Sequence, residues 1–264
     1  MSYPGMKPLS QLTQEEVKNI KLISFDVDGV TVERGTEIIE KDNVLTVQTK
    51  QISPGLLEKI SRLKKYACVN FSSGRNLLYL ARMFGPALWE RASIQGENGL
   101  FTLIDGQVIQ NSPLAAGELE KLEKIRREIG ELAKTDKNIR GFEPKQFMVS
   151  VRCLKEDRQV IDIVRRIDTN NEFNVLWISN ETHDIFLKRF NKGTGLEFLC
   201  SRLRLEKSQV LAVGNDPNDA PMLEAAGVSV TTDSQKIEAD FYTEGKFELG
   251  GEEVVDHILG LTNG

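Results

Sequence analysis

The sequence predicts an α/β protein, a doubly wound, Rossmann-like parallel sheet with a smaller α+β cap domain inserted into it. Three observations predict it. Almost wholly apolar runs at 22–25, 67–71 and 209–213 read as strands buried on both faces, and amphipathic helical patterns alternate with them. Each run ends in a polar cluster, and the carboxyl ends of strands are where a doubly wound sheet gathers its ligands. Between the second and third runs the pattern changes to half-buried alternating strands mixed with helices, as in a small antiparallel sheet. The expected division is an N-terminal arm at 1–19, a core at 20–100 and 189–264, and a cap at 101–188.

In chain order, residues 1–14 carry Pro4, Gly5 and Pro8 and few apolar side chains, so they read as a loosely held arm. Thr13, followed by Glu15 and Glu16, is a capping signal for a short helix. The first strand, Leu22, Ile23, Ser24 and Phe25, is broken by Gly29. Residues 30–52 show no helical period, and so long a stretch inside a domain reads as a hairpin-like flap beside the site. Pro54 opens a helix with Leu56, Leu57, Ile60 and Leu63 at helical spacing. A strand at 67–71, a helix at 76–84, a short strand at 92–94 and a hairpin around Asp105-Gly106 follow. The cap opens with a helix at 117–134 that lines up Leu119, Leu122, Ile125, Ile129 and Leu132, with Glu120/Lys124 and Glu123/Arg127 as pairs on its solvated face. A strand at 147–152, a helix at 160–167 and strands at 173–178 and 183–188 complete it. The parallel pattern resumes with a helix at 193–203, a strand at 209–213, a loop at 214–219, a helix at 219–226 and a strand at 228–230.

The chemistry gathers at the strand ends. Asp26 and Asp28 are two apart in extended chain, so both carboxylates face one cavity, and a hard divalent cation such as Mg2+ relieves their repulsion. Taken alone, the pair also has a plainer reading, an Asp-rich turn. Ser72-Ser73-Gly74-Arg75 joins a strand to a helix, where a hydroxyl and unpaired N–H groups make either an anion site or a simple capped turn. Arg75 adds a charge there or pairs with a neighbouring acid.

Composition narrows the class. A net charge of −5 gives no support for a nucleic-acid binder. Cys68, Cys153 and Cys200 are widely separated in apolar surroundings and read as core thiols of a reducing compartment. No run has the length of a membrane span and no export signal opens the chain, so a cytoplasmic protein is expected, monomeric or a small homo-oligomer.

Taken together and in order, Asp26-Val27-Asp28-Gly29, Ser73-Gly74-Arg75, Lys192-Gly193 and Gly214-Asn215-Asp216-Pro217-Asn218-Asp219 resemble the four motifs of the haloacid dehalogenase superfamily of phosphotransferases. The resemblance runs from about Lys21 to the C-terminus. An insertion between the second and third motifs is similar to the C2-type cap, and Glu97-Asn98-Gly99 with the run from Lys192 resembles its type IIB branch. Within that branch, the run from Pro217 to Leu223 is similar to the mannosyl-3-phosphoglycerate phosphatase family, with sucrose-phosphate phosphatases a more distant likeness.

The resemblance implies Asp26 as nucleophile, Asp28 as general acid and then base, Ser73 and Gly74 as phosphate ligands, and Lys192 as the cation that neutralises the phosphoryl oxygens and orients Asp26. It implies Mg2+ held by Asp26, by the main-chain carbonyl of Asp28 and by the last loop. There this chain departs from the family, with Asn215 where an Asp is usual. Asn215 as a neutral donor, Asp216 in direct contact and Asp219 in compensation all remain open. The expected substrate is a phosphorylated sugar or glycosyl-phosphoglycerate, selected by cap residues among Arg140, Lys145, Arg152 and His183, with Arg75 from the core. A sugar phosphomutase and a non-catalytic binding protein are the alternatives.

Overall fold

The computed structural model describes residues 3, 5–41, 44–178 and 180–262. Pro4 of the arm and residues 42–43 within the expected flap lie outside the described residues. The chain divides into two units, Met1–Asn111 with Asn191–Gly264, and Ser112–Phe190.

In chain order the first unit contains β1 (Lys7–Pro8), α1 (Gln14–Val17), β2 (Leu22–Asp26), β3 (Thr36–Lys41), β4 (Val44–Thr49), α2 (Pro54–Leu63), β5 (Cys68–Ser72), α3 (Leu77–Phe84), β6 (Ala92–Gly96), β7 (Phe101–Ile104) and β8 (Gln107–Gln110). The second unit holds α4 (Ala116–Ala133), β9 (Ile139–Glu143), β10 (Val149–Cys153), α5 (Arg158–Ile167), β11 (Phe173–Ile178) and β12 (Thr182–Leu187). The first unit then resumes with α6 (Lys192–Leu203), β13 (Val210–Gly214), α7 (Ala220–Glu224), β14 (Val228–Thr231), β15 (Phe241–Tyr242) and α8 (Glu248–Thr262).

The first unit is built on a nine-stranded sheet ordered β1-β15-β14-β13-β2-β5-β6-β7-β8. Its strands from β1 to β6 pair in parallel, and β7 and β8 add an antiparallel edge. From β2 the chain builds outward through β5 and β6, then returns to lay β13 on the other side of β2. The topological switch point therefore lies between β2 and β13, with Phe25 beside Val213, and this is where such a sheet opens a crevice. The alternating side chains of these strands feed two cores. Ile23, Phe25, Leu211 and Val213 pack with α2 and α8 residues, and Leu22, Val210 and Ala212 with α6 and α7 residues.

Local chemistry explains the helix starts. Ser53 caps α2 through Leu56 N–H at 3.1 Å, Asn76 caps α3 through Tyr79 N–H at 3.0 Å, and Asn191 caps α6 through Thr194 N–H at 3.0 Å. Asp105 and Gly106 both have positive φ, as a two-residue hairpin turn requires.

Two expectations are corrected, and one helix is new. The arm is not loosely held: β1 pairs with β15, and Leu9, Leu12 and Val17 are buried in the core, because these few apolar side chains reach the sheet edge and α8. The hairpin β7–β8, expected in the cap, extends the core sheet instead, since Phe101 to Ile104 pair with β6. Helix α8 had no assignment from sequence. Gly250 and Gly251 interrupt its pattern, and Gly251 packs so closely on Val30 O that a side chain there would overlap it.

The stretch read as a flap contains β3 and β4, an antiparallel pair with Ile38 opposite Val47. The second unit is a four-stranded antiparallel sheet, β11-β12-β10-β9, packed with α4 and α5. Leu122, Ile125, Val151, Val160, Val164 and Ile185 are among its buried residues.

Candidate active site

Strand β2 delivers Asp26 to the switch point, and the chain turns at once, with Gly29 N–H bonded to Val32 O at 2.7 Å and Thr31 Oγ1 donating to Asp26 O at 3.2 Å. Asp26 is buried, and its Oδ1 accepts a hydrogen bond from Lys192 Nζ at 2.6 Å. The same ammonium reaches Asp219 Oδ1 at 2.5 Å. Lysine is a poor choice for the first residue of a helix, because its charge opposes the helix dipole. Here two carboxylates offset that cost.

Close packing holds Lys192 in place. A side chain on Gly193 would come within 2.4 Å of Pro221 O, so only glycine lets α6 approach α7 this closely. The Gln95 amide donates to Gly195 O at 2.6 Å and to Thr102 Oγ1 at 3.1 Å, tying α6 to β6 and β7. Beneath the strand ends, Asn70 Nδ2 donates to Ser24 Oγ and Gln95 Oε1, a buried polar ladder that spans β2, β5 and β6.

Asp28 is held by a two-pronged ion pair with Arg75, whose Nε and Nη2 donate at 2.9 and 2.7 Å. Ser73 Oγ lies 3.5 Å from Asp28 Oδ2 and accepts the Arg75 N–H at 3.1 Å. Gly74 stands in the same strand-to-helix turn between them. Arg75, expected as a substrate ligand, is thus turned onto Asp28.

In the last loop, Asp219 Oδ2 accepts the main-chain N–H groups of Asn215 at 2.8 Å and Asp216 at 3.0 Å. With Lys192 on its other oxygen, Asp219 shapes the loop and orients the lysine. Both of its oxygens are thereby engaged. Asn215 Nδ2 donates to Asp28 O at 3.1 Å and Gly29 O at 2.8 Å, while its Oδ1 accepts from Arg34 Nη2 at 3.2 Å. Asp216 pairs with Arg34, and with Lys236 at 2.8 Å.

Burial, reinforced by the Asp219 and Asp28 carboxylates and opposed by Lys192, pushes Asp26 up to about 7. Burial pulls Lys192 down, but Asp219 and Asp26 outweigh it and raise the ammonium. Burial alone would raise Asp216; Lys236 and Arg34 hold it below the usual carboxylate range. Among the described residues, four carboxylates (Asp26, Asp28, Asp216 and Asp219) face four cations (Arg34, Arg75, Lys192 and Lys236).

A hard divalent ion fits this donor set. Asp26 Oδ2 has no hydrogen bond among the described residues, and the Asp28 carbonyl, Asn215 Oδ1 and Asp216 are further oxygen donors of the kind such ions take. No ready-made cluster of three or more His, Cys, Asp or Glu side chains occurs among the described residues.

Several residues expected to meet substrate are otherwise engaged. His183 is a correction: it is fully buried, its Nε2 accepts the Asp157 N–H at 2.9 Å, and its ring lies 4.7 Å from that of Trp177. Burial lowers its pKa, in keeping with an Nε2 that accepts a hydrogen bond in the core. The signal was present in the sequence, since His183 alternates in phase with Ile185 and Leu187. Arg152 is shared between Glu143 and Glu181, and Lys145 pairs with Glu143 at 3.3 Å. Arg140 is exposed. Lys188 bonds to Asn171. Arg34 and Lys236 were missed: each lies in a stretch without periodicity, and only the fold brings them to Asp216.

A family model described as haloacid dehalogenase-like hydrolase matches residues 127–240, which include Lys192 and the last loop. A structure of a phosphatase of the haloalkanoate (HAD) enzyme superfamily from Bacteroides thetaiotaomicron superposes with a TM-score of 0.64 at 16% identity, covering 98% of this chain and 100% of that one. The chain has the haloacid dehalogenase-like hydrolase fold. Trehalose-6-phosphate phosphatase from Aspergillus fumigatus shares this hydrolase fold, with a TM-score of 0.62 at 18% identity and 98% and 100% coverage. A phosphoglycolate phosphatase from Methanopyrus kandleri is 25% identical over 198 residues, 73% of this chain and 82% of that protein.

Proposed function

We propose that this phosphatase hydrolyses phosphomonoesters of small metabolites, sugar phosphates or glycosyl-phosphoglycerates, through an aspartyl-phosphate on Asp26 and with Mg2+ as cofactor. The observation that carries the reading is the Asp26 carboxylate at the switch point, oriented through one oxygen by Lys192 at 2.6 Å and without a hydrogen bond on the other among the described residues. That leaves one oxygen to act as nucleophile.

In the first step an Asp26 oxygen attacks phosphorus in line. The new P–O bond forms as the ester P–O bond breaks, and the departing alkoxide takes a proton from Asp28. In the second step water attacks phosphorus of the aspartyl-phosphate, Asp28 accepts the proton, and inorganic phosphate leaves as the Asp26 carboxylate returns. Asp28 must loosen its fork with Arg75 to carry a proton, so Arg75 fixes where Asp28 waits. Lys192, the Ser73 hydroxyl and Gly74 offset charge on the phosphoryl oxygens. A divalent ion held by Asp26, the Asp28 carbonyl and Asn215 or Asp216 would supply further charge neutralisation.

Phosphate release tests the reading. The panel holds phosphoglycolate, mannosyl- and glucosyl-3-phosphoglycerate, sucrose phosphate and trehalose 6-phosphate, each with and without Mg2+, beside Asp26→Asn. Mg2+-dependent release from a sugar phosphate or glycosyl-phosphoglycerate, abolished in Asp26→Asn, is expected. Release from phosphoglycolate alone would move the substrate to the one named for the Methanopyrus kandleri relative, and release undiminished in Asp26→Asn would sink the mechanism.

A further inference from the structure

We infer that Arg34 is a tethered cation that competes with the divalent ion for the oxygens of Asn215 and Asp216, so that metal binds this chain as Arg34 lets go. The inference rests on the metal-dependent reading above and adds a residue that sets the metal affinity. Arg34 lies between the turn after β2 and the start of β3. Its Nη2 donates to Asn215 Oδ1 at 3.2 Å and pairs with Asp216 Oδ2.

The guanidinium lies against the loop that carries Asp28. Gly29 has φ of +82°, and a side chain built there would come within 2.5 Å of Asn215 Nδ2 and 2.7 Å of Arg34 Nε. Glycine thus leaves the space that the amide and the guanidinium share. The Asn215 amide turns its nitrogen to the Asp28 and Gly29 carbonyls and its oxygen to Arg34, an orientation that its donors and acceptors decide. The two hard oxygens that the last loop offers a cation, Asn215 Oδ1 and Asp216 Oδ2, are those that Arg34 holds.

Two further features make the contact exchangeable. Arg34 Nε is buried with no hydrogen-bond partner among the described residues, so among them the guanidinium has one donor unsatisfied, a cost that its release would remove. Asp216 keeps a second cation, Lys236, on Oδ1, so it is not left without a partner when Arg34 departs. Asn215 carries no charge to favour a free ion over the tethered one. In this site, therefore, the protein's own cation competes where an ion would be drawn.

The test titrates Mn2+ into the chelator-treated full-length protein, followed by calorimetry and by the electron paramagnetic resonance signal of the free ion. Wild type is compared with Arg34→Met, Arg34→Gln and Lys236→Met, each checked for folding by circular dichroism. The glutamine variant keeps a donor for Asn215 if the methionine variant folds poorly. Removing the competitor is expected to tighten Mn2+ binding about tenfold or more, because a contact charge is lost together with the competition. Lys236→Met, which takes a charge from the other oxygen of the same carboxylate, is expected to gain less.

Equal affinity in wild type and the Arg34 variants, or an equal gain in Lys236→Met, overturns the inference and leaves the metal-dependent reading standing. No Mn2+ binding by any folded form overturns both.

Discussion

Arg75 grips both carboxylate oxygens of Asp28, at 2.9 and 2.7 Å, in the same turn whose Ser73 faces that carboxylate. The residue proposed to move the proton is therefore held by the loop after β5 as well as by its own.

If Asp28 protonates the leaving group, its loss should depend on what leaves. Asp28→Asn is expected to lower kcat on a sugar phosphate by about 10²–10⁴-fold, and much less on p-nitrophenyl phosphate, whose phenolate departs without a proton. Steady-state kinetics on both substrates checks it. An equal loss on both would mean that Asp28 acts through position alone.

Lys192 sits between two buried carboxylates, so removing it leaves both without their countercharge. Lys192→Met is expected to destabilise the fold by about 3–5 kcal/mol, as breaking a buried pair does. Adding Asp219→Asn should recover part of the loss. Urea unfolding of the single and double variants measures both changes.

Asp26 gives a pH signature in metal-free buffer. Its folded pKa of about 7 lies above the unfolded value of 3.8, so the folded state binds the proton more tightly and stability falls as pH rises through that window. Asp26→Asn removes the ionisation. It is expected to melt higher than wild type by about a few degrees above pH 7, with the gap closing towards pH 4. A gap that stays constant from pH 4 to 8 would contradict the raised pKa.

Burial pushes the thiols of Cys153 and Cys200 up to about 11. At pH 8 both are expected to react with iodoacetamide more slowly than a free cysteine by about 100-fold. Denaturant should restore ordinary rates, and peptide mass mapping reads each site. Fast labelling of either thiol in the folded protein would count against its burial.

Much of the core was legible because its signals are local. The apolar runs that became β2, β5 and β13 could be buried only as central strands, and Ser53, Asn76 and Asn191 announce their helices through their own side chains. The arm was misread because Leu9, Leu12 and Val17 are too few to show a period, although the sheet edge and α8 cover each of them. His183 was misread for its chemistry when its phase with Ile185 placed it in the core.

The sequence by itself determined the alternation of strand and helix, and so a doubly wound sheet with Asp26, Ser73 and the 214–219 loop at strand ends. Backbone period and burial are properties of neighbouring residues. Only the tertiary structure decided which charge meets which: Arg75 on Asp28, Lys192 between Asp26 and Asp219, and Arg34 with Lys236 on Asp216. Those pairings join residues up to 182 positions apart, and Coulomb energy depends on distance through space, which the order of the strands sets.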